Sequence, residues 1–355
     1  MKNGPAFRSR MSGVLVVGLT LAAGLTAWSP AWGVDPAIIE GAKKEGKLVW
    51  YSSAPREAMV QFLAAFKKKY PFMDVSQLVR AVGSDLRNKI FAELEAGALQ
   101  ADVLHATDYP LFSELKAKGE LMRYVSPEAA AYPAGARDPD GIWVLMRTIV
   151  LSIIYNTDSV KGADAPQHWK DLLKPRWRGK IATYDHITQL PQLMMYTLKG
   201  VLDRDYWVKL AAQRARPMRG GAVMMKDVIS GELDVATHVL SLFYYEFGIQ
   251  RGAPLKAVFP PEGVPVVAAP VGILAKAKRP HAAKLFMDYA LSREGQTEFN
   301  TKILGAWSSR PDVEPPQKMP RLQSLNVVYP DSWDRFAKEL PKLTEEFAKI
   351  FGMAR

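Results

Sequence analysis

Residues 241–247 read SLFYYEF, and the adjacent phenols of Tyr244 and Tyr245 are the first candidates for chemistry. Tyrosine oxygens can hold hard trivalent cations, wall an organic ligand, or bury their rings in a core. Neighbours on a helix point about 100° apart, so the two rings are not expected to share one task. Arg147 is the next candidate. It is the only charge in WVLMRTIVLSIIYNT (143–157), an apolar, β-rich run. A guanidinium in a buried strand needs an ion-pair partner or a ligand carboxylate or phosphate, and the ligand is the favoured reading. Arg80, near the end of MDVSQLVRA (73–81), is a second candidate for charge pairing. Small polar residues complete the set: Ser52 and Ser53, Gly83 and Ser84, Thr107 and Asp108. Simple helix N-capping is the alternative role for each serine.

These residues fall where strands give way to helices. LVWYSS (48–53) reads as a strand, and REAMVQFLAAFKKKY (56–70) as a helix with Met59, Phe62, Leu63 and Phe66 on one face. MDVSQLVRA is a strand, followed by Gly83-Ser84 and the helix DLRNKIFAELEAG (85–97). ADVLHAT (101–107) and DYPLFSELKAKG (108–119) repeat the pattern. Strands alternating with helices predict an α/β sheet covered on both faces. Ligands of such sheets sit beyond the carboxyl ends of the strands, against helix N-termini. Further along, the strand ending in KIATYDH brings up Tyr184 and Asp185. A helical section to about residue 229 is broken at Arg219-Gly220-Gly221, and GELDVATHVL (231–240) is a strand carrying His238. All of these are expected to face a ligand from a second lobe.

The apolar strands 143–157 and 264–277 are similar in character and far apart in sequence. If they pair, the chain leaves one lobe, builds another and returns, and the two crossings form a hinge. The expected division is residues 34–150 plus 268–310 for lobe 1 and 151–267 for lobe 2. Residues 311–355 are expected to pack on the lobes as a C-terminal helical segment.

The first 33 residues read as a Sec-type signal peptide: a basic start, the apolar run 13–28, then small residues in SPAWG. Export to a periplasm follows as an expectation. Without Lys2, Arg8 and Arg10 of that segment, the formal charge drops from +11 to +8. A basic chain can bind nucleic acid, but an exported one is not expected to; surplus positive charge also steers small anions. There is no cysteine, so neither disulfides nor lipidation apply. HExxH, CxxC, GxSxG and the phosphate-cradling GxxxxGK[ST] are all absent. An enzyme is therefore not expected, and a secreted enzyme of unknown reaction stands as the last alternative.

The stretches LVWYSSAPREAMVQFLAAFKKKYP, ADVLHATD, LSIIYNTDSV, WKDLLKPRWRGKIA and RGAPLKAVFPPEGVPVVAAPVGILAKAKRPHAAKLFMDYALSREGQ carry a resemblance. The chain resembles the bacterial extracellular solute-binding proteins of family 1, receptors of ABC importers. The resemblance implies a two-lobed type II periplasmic binding fold, each lobe a mixed sheet flanked by helices. It also implies capture of a small-molecule solute in the interlobe cleft, docking to an inner-membrane permease, a monomeric state and no cofactor. The related ferric-binding proteins hold iron with neighbouring tyrosines, a histidine and a glutamate. Tyr244-Tyr245 are similar to that tyrosine pair, which makes Fe³⁺ an alternative transported ligand. The implied histidine position reads Pro55 here, and the implied glutamate position reads Thr107, with Asp108 beside it. A polar or anionic organic solute is the expected ligand.

Overall fold

The computed structural model describes Met1 and residues 34–353. The expected signal peptide lies outside the described residues. In chain order the elements begin α1 (Pro36–Glu45), β1 (Lys47–Ser52), α2 (Arg56–Lys69), β2 (Asp74–Arg80), α3 (Gly83–Glu95), β3 (Val103–His105) and α4 (Tyr109–Ala117). Then come β4 (Val144–Asn156), β5 (Ile181–Tyr184), α5 (Leu190–Thr197), α6 (Arg204–Ala212), β6 (Arg216–Met218), α7 (Gly221–Ile229) and β7 (Val235–Leu240). The chain closes with β8 (Leu255–Val258), β9 (Val264–Ile273), α8 (Pro280–Leu291), α9 (Arg293–Gln296), β10 (Val327–Val328) and α10 (Trp333–Ile350). No described helix is long and apolar enough to cross a membrane.

The sheet is mixed, in the order β2-β1-β3-β9-β4-β7-β5-β6, with β10 beside β9 and β8 beside β4. β1, β2 and β3 run parallel, as connections through helices require. β4 is the element that joins the two halves of the sheet. Its first half pairs antiparallel with β9, from Val144 opposite Val271 to Val150 opposite Val266. Its second half pairs with β7 and β8 instead. All 13 residues of β4 are buried, which accounts for its nearly unbroken apolar run. The two long apolar strands therefore do pair.

Two clusters of buried side chains hold the elements. The larger includes Trp50 of β1, Phe62 and Phe66 of α2, Phe286 of α8 and Phe299, with Trp50 and Phe286 ring centroids 5.2 Å apart. The smaller lies between α7 and its strands: Tyr184, Met224, Met225, Val228, Ala236 and Val239. Two strands were not expected: β10, within the segment expected to be helical, and β6, which is only Arg216–Met218 and contains Pro217. Pairing with β5 creates β6, since its three residues carry no strand pattern of their own.

Candidate functional site

β4 carries Arg147 into the interior, opposite Ala269 of β9. The residue is 7 % exposed, and its Nε has no hydrogen-bond partner among the described residues. Burial alone pushes its pKa down, to about 10, and no carboxylate among the described residues acts in the other direction. It is still a cation at neutral pH. A buried charge with no counter-charge costs several kcal/mol, so its position calls for an anion that is not part of this chain.

Arg147 lines a cavity of about 370 Å³, within the range usual for small-molecule sites. The first turn of α2 lines it too, through Pro55, Glu57 and Ala58. The N-cap position of that 14-residue helix is Pro55, which supplies no side-chain acceptor. Its leading N–H groups are therefore left for solvent or a ligand, and the helix dipole favours negative charge there. Tyr245 and Leu242 form a third side, and Ile303, Leu304 and Ala306 a fourth.

The tyrosines part company, as adjacent helical residues must. Both belong to a wide helical segment, Tyr244–Gln250, that follows β7. Tyr245 reaches the cavity because residue 305 is glycine. A Cβ there would stand 1.9 Å from Tyr245 Cε1, and φ at Gly305 is 62°, which also favours glycine. Tyr244 turns the other way, its ring against Gly248 and packed on both hydrophobic clusters.

The remaining candidates occupy several places. Ser53 and Thr107 meet where β1 and β3 end: Thr107 N donates to Ser53 Oγ at 3.1 Å. Thr107 also lines a small separate cavity of about 40 Å³ with Gln189 and Ala268. Ser52 is buried, its Oγ accepting from Ala54 N at 3.0 Å and lying 2.8 Å from His105 Nδ1. Neither serine caps α2. Ser84 sits inside α3, whose N-cap position is Val82, and Arg80, Gly83 and Ser84 are exposed. Asp108 caps α4 by accepting from Leu111 N at 3.2 Å; burial raises its pKa. Asp185 pairs with Arg219 at 3.2 Å, and the Tyr184 hydroxyl packs against Gly221, beside Gly220 at the start of α7. His238 is fully buried between Trp169 and Trp207, with ring nitrogens 3.2 Å from Thr183 Oγ1 and 3.1 Å from Tyr206 Oη. Burial pushes its pKa down to about 3, so the ring is neutral. Of the candidates, the structure joins Arg147 with Tyr245 in one cavity and Ser53 with Thr107 at another edge.

Sequence reasoning missed the start of α2, Gln61 and residues 303–306 as parts of the cavity. It also missed His105, fully buried and within the field of Arg147. Its Nε2 has no described partner, and burial, then the Arg147 charge, hold its pKa well below the usual value. Only the Pro55 that replaces a capping residue could have signalled the helix start.

A larger cavity of about 550 Å³ is lined by Tyr109, Trp143, Trp333 and three carboxylates. Its acids are already engaged. Asp138 pairs with Lys116, Asp331 with Arg335, and Asp334 accepts from Tyr109 and Ser113. No group of three or more histidine, cysteine or acidic side chains suited to a metal occurs among the described residues.

Comparison with known proteins adds to this geometry. The family model for bacterial extracellular solute-binding proteins matches residues 100–338. An uncharacterized protein of Haemophilus influenzae is 28% identical over 278 residues, 73% of this chain and 77% of the relative. The periplasmic binding protein AfuA of Actinobacillus pleuropneumoniae, solved with exogenous fructose-6-phosphate bound, superposes with a TM-score of 0.70. It is 24% identical and covers 87% of this chain and 100% of its own. Iron-bound HitA of Pseudomonas aeruginosa gives 0.71 at 19% identity, covering 86% and 99%. At these identities the superpositions establish a shared fold.

Proposed function

This chain belongs to the bacterial extracellular solute-binding proteins, and on that basis we propose that it captures a small organic anion in the cavity of Arg147 and delivers it to an ABC importer. The observation that carries the anion is the pairing of a buried guanidinium that has no counter-charge with the uncapped start of α2. Bidentate capture by Arg147, N–H groups of α2 and the Tyr245 hydroxyl would together satisfy one carboxylate or phosphate group. Ser53, Thr107, Tyr184, Asp185 and Gly220 are proposed to meet the solute as the protein closes.

The two halves of the sheet, joined through β4 and β9, are proposed to be lobes that close by hinge motion. The chain is proposed to act in the periplasm as a monomer, after removal of residues 1–33, and to dock on an inner-membrane permease. Binding and release need no catalytic group, and no cofactor is proposed.

The iron-bound relative keeps a ferric reading in view, with Tyr244 and Tyr245 as ligands. Two features argue against it here. The tyrosine rings diverge, and Arg147 would repel a cation placed beside Tyr245. Native mass spectrometry of protein purified without chelator separates the readings. A bound organic mass that disappears in Arg147→Met supports the anion. A ferric mass, with visible colour lost in Tyr245→Phe, would replace it.

A further inference from the structure

The same cavity also restricts which anion can enter. Resting on the anion reading above, we infer that the solute is a monocarboxylate with a short apolar body, and not a phosphate ester, a dicarboxylate or a metal ion. Arg147 is the only buried cation on the lining. The other, Arg251, lies under Phe247 at 4.6 Å and is held by Glu246 at 2.6 Å. Glu246 and Glu57 also line the cavity. Because Arg251 neutralises Glu246, Arg147 is the cation left for a solute, and one cation matches a single negative charge. A phosphate monoester carries about −1.5 to −2 near neutral pH, and the excess would find no second free cation and would share the lining with Glu57. A dicarboxylate has the same surplus.

The apolar part of the lining fixes the body. Leu242, Ile303, Leu304 and Ala306 offer carbon to whatever extends away from Arg147. Sugar hydroxyls buried there would lose hydrogen bonds to water and find none in return. Methylene or methyl groups gain about 25 cal/mol for each Å² covered. Some 370 Å³, at the roughly 30 Å³ that a water takes in the liquid, holds on the order of ten heavy atoms. A planar carboxylate fits the guanidinium fork, with the helix N–H groups and the Tyr245 hydroxyl on its remaining lone pairs.

The test is calorimetric titration of the protein, expressed from its full chain, with four probes: hexanoate, hexanamide, adipate and fructose 6-phosphate. Hexanoate is expected to bind about 100-fold tighter than hexanamide, the loss expected for a charge-assisted contact. It should bind at least ~10-fold tighter than adipate or the sugar phosphate. Arg147→Met should abolish hexanoate binding, while Tyr245→Phe should weaken it about 5-fold with an unchanged melting temperature. If adipate or fructose 6-phosphate binds tightest and Arg147→Met abolishes that binding, the monocarboxylate inference is overturned while the anion reading survives. Equal binding of hexanoate and hexanamide, unaffected by Arg147→Met, overturns both. A folded protein that binds none of the four overturns the inference.

Discussion

Arg147 sets function against stability within one side chain. In the unliganded protein its charge is buried without compensation, so Arg147→Met is expected to raise stability by about 1–2 kcal/mol even as anion binding is lost. Thermal melts with and without ligand check this; a lower unliganded melting temperature would mean that Arg147 has a structural partner. The pH dependence follows from its pKa, lowered to about 10 by burial. Below that value the guanidinium is charged, so anion affinity should be flat from pH 6 to 9 and weaken as pH rises through 10. Any stability penalty of the buried charge is present below pH 10 and relieved above it. Gly305 is the second telling residue. In Gly305→Ala the new methyl meets the Tyr245 ring at a positive φ, for an expected loss of at least about 1 kcal/mol. Adding Tyr245→Ala should recover the steric part, and a double-mutant cycle in urea measures that coupling.

At the scale of elements, α2 repeats this opposition. Pro55 leaves the helix start uncapped. Pro55→Asp is expected to add about 0.5–1 kcal/mol of helix stability through a side-chain cap. The same carboxylate would occupy the N–H groups proposed for the solute, and calorimetry should show anion affinity falling about tenfold. An unchanged affinity would remove α2 from the site. Elsewhere, an ion pair anchors the start of α8 near β3. Arg279 Nη1 donates to the fully buried Asp102 at 2.8 Å, and Val49 N donates to the same oxygen at 2.9 Å. Arg279→Met strands that carboxylate and should cost about 3 kcal/mol in urea unfolding. Most elements were legible in the sequence because their signals are local: the apolar face of α2, the alternation through β1 to α4, the unbroken apolar run of β4. β6 was not, because three residues with a proline become a strand only through a neighbour. The serines after β1 and at α3 suggested caps, but Ser53 bonds across to Thr107 and Ser84 lies within its helix.

At the scale of the whole molecule, β4 and β9 run through the middle of the sheet, and the two-lobe proposal rests on them. Small-angle scattering should show a smaller radius of gyration on saturation with ligand; an unchanged value would count against hinge closure. The sequence by itself determined the α/β alternation, the pairing candidates 143–157 and 264–277, and the resemblance that the family match bears out. It also singled out Arg147, because one charge in an apolar strand is visible without coordinates. Only the tertiary structure decided what that charge faces. The cavity draws on residues 55–61, 147, 242–251 and 303–306, four stretches that local periodicity cannot bring together. It also separated Tyr245 from Tyr244, through a glycine 60 positions downstream that leaves room for one ring. His238 shows the converse: its type suggested a ligand contact, and its burial between two tryptophans is a matter of packing. Residue type and period are properties of neighbours along the chain, whereas the field and space around a side chain are set by neighbours across it.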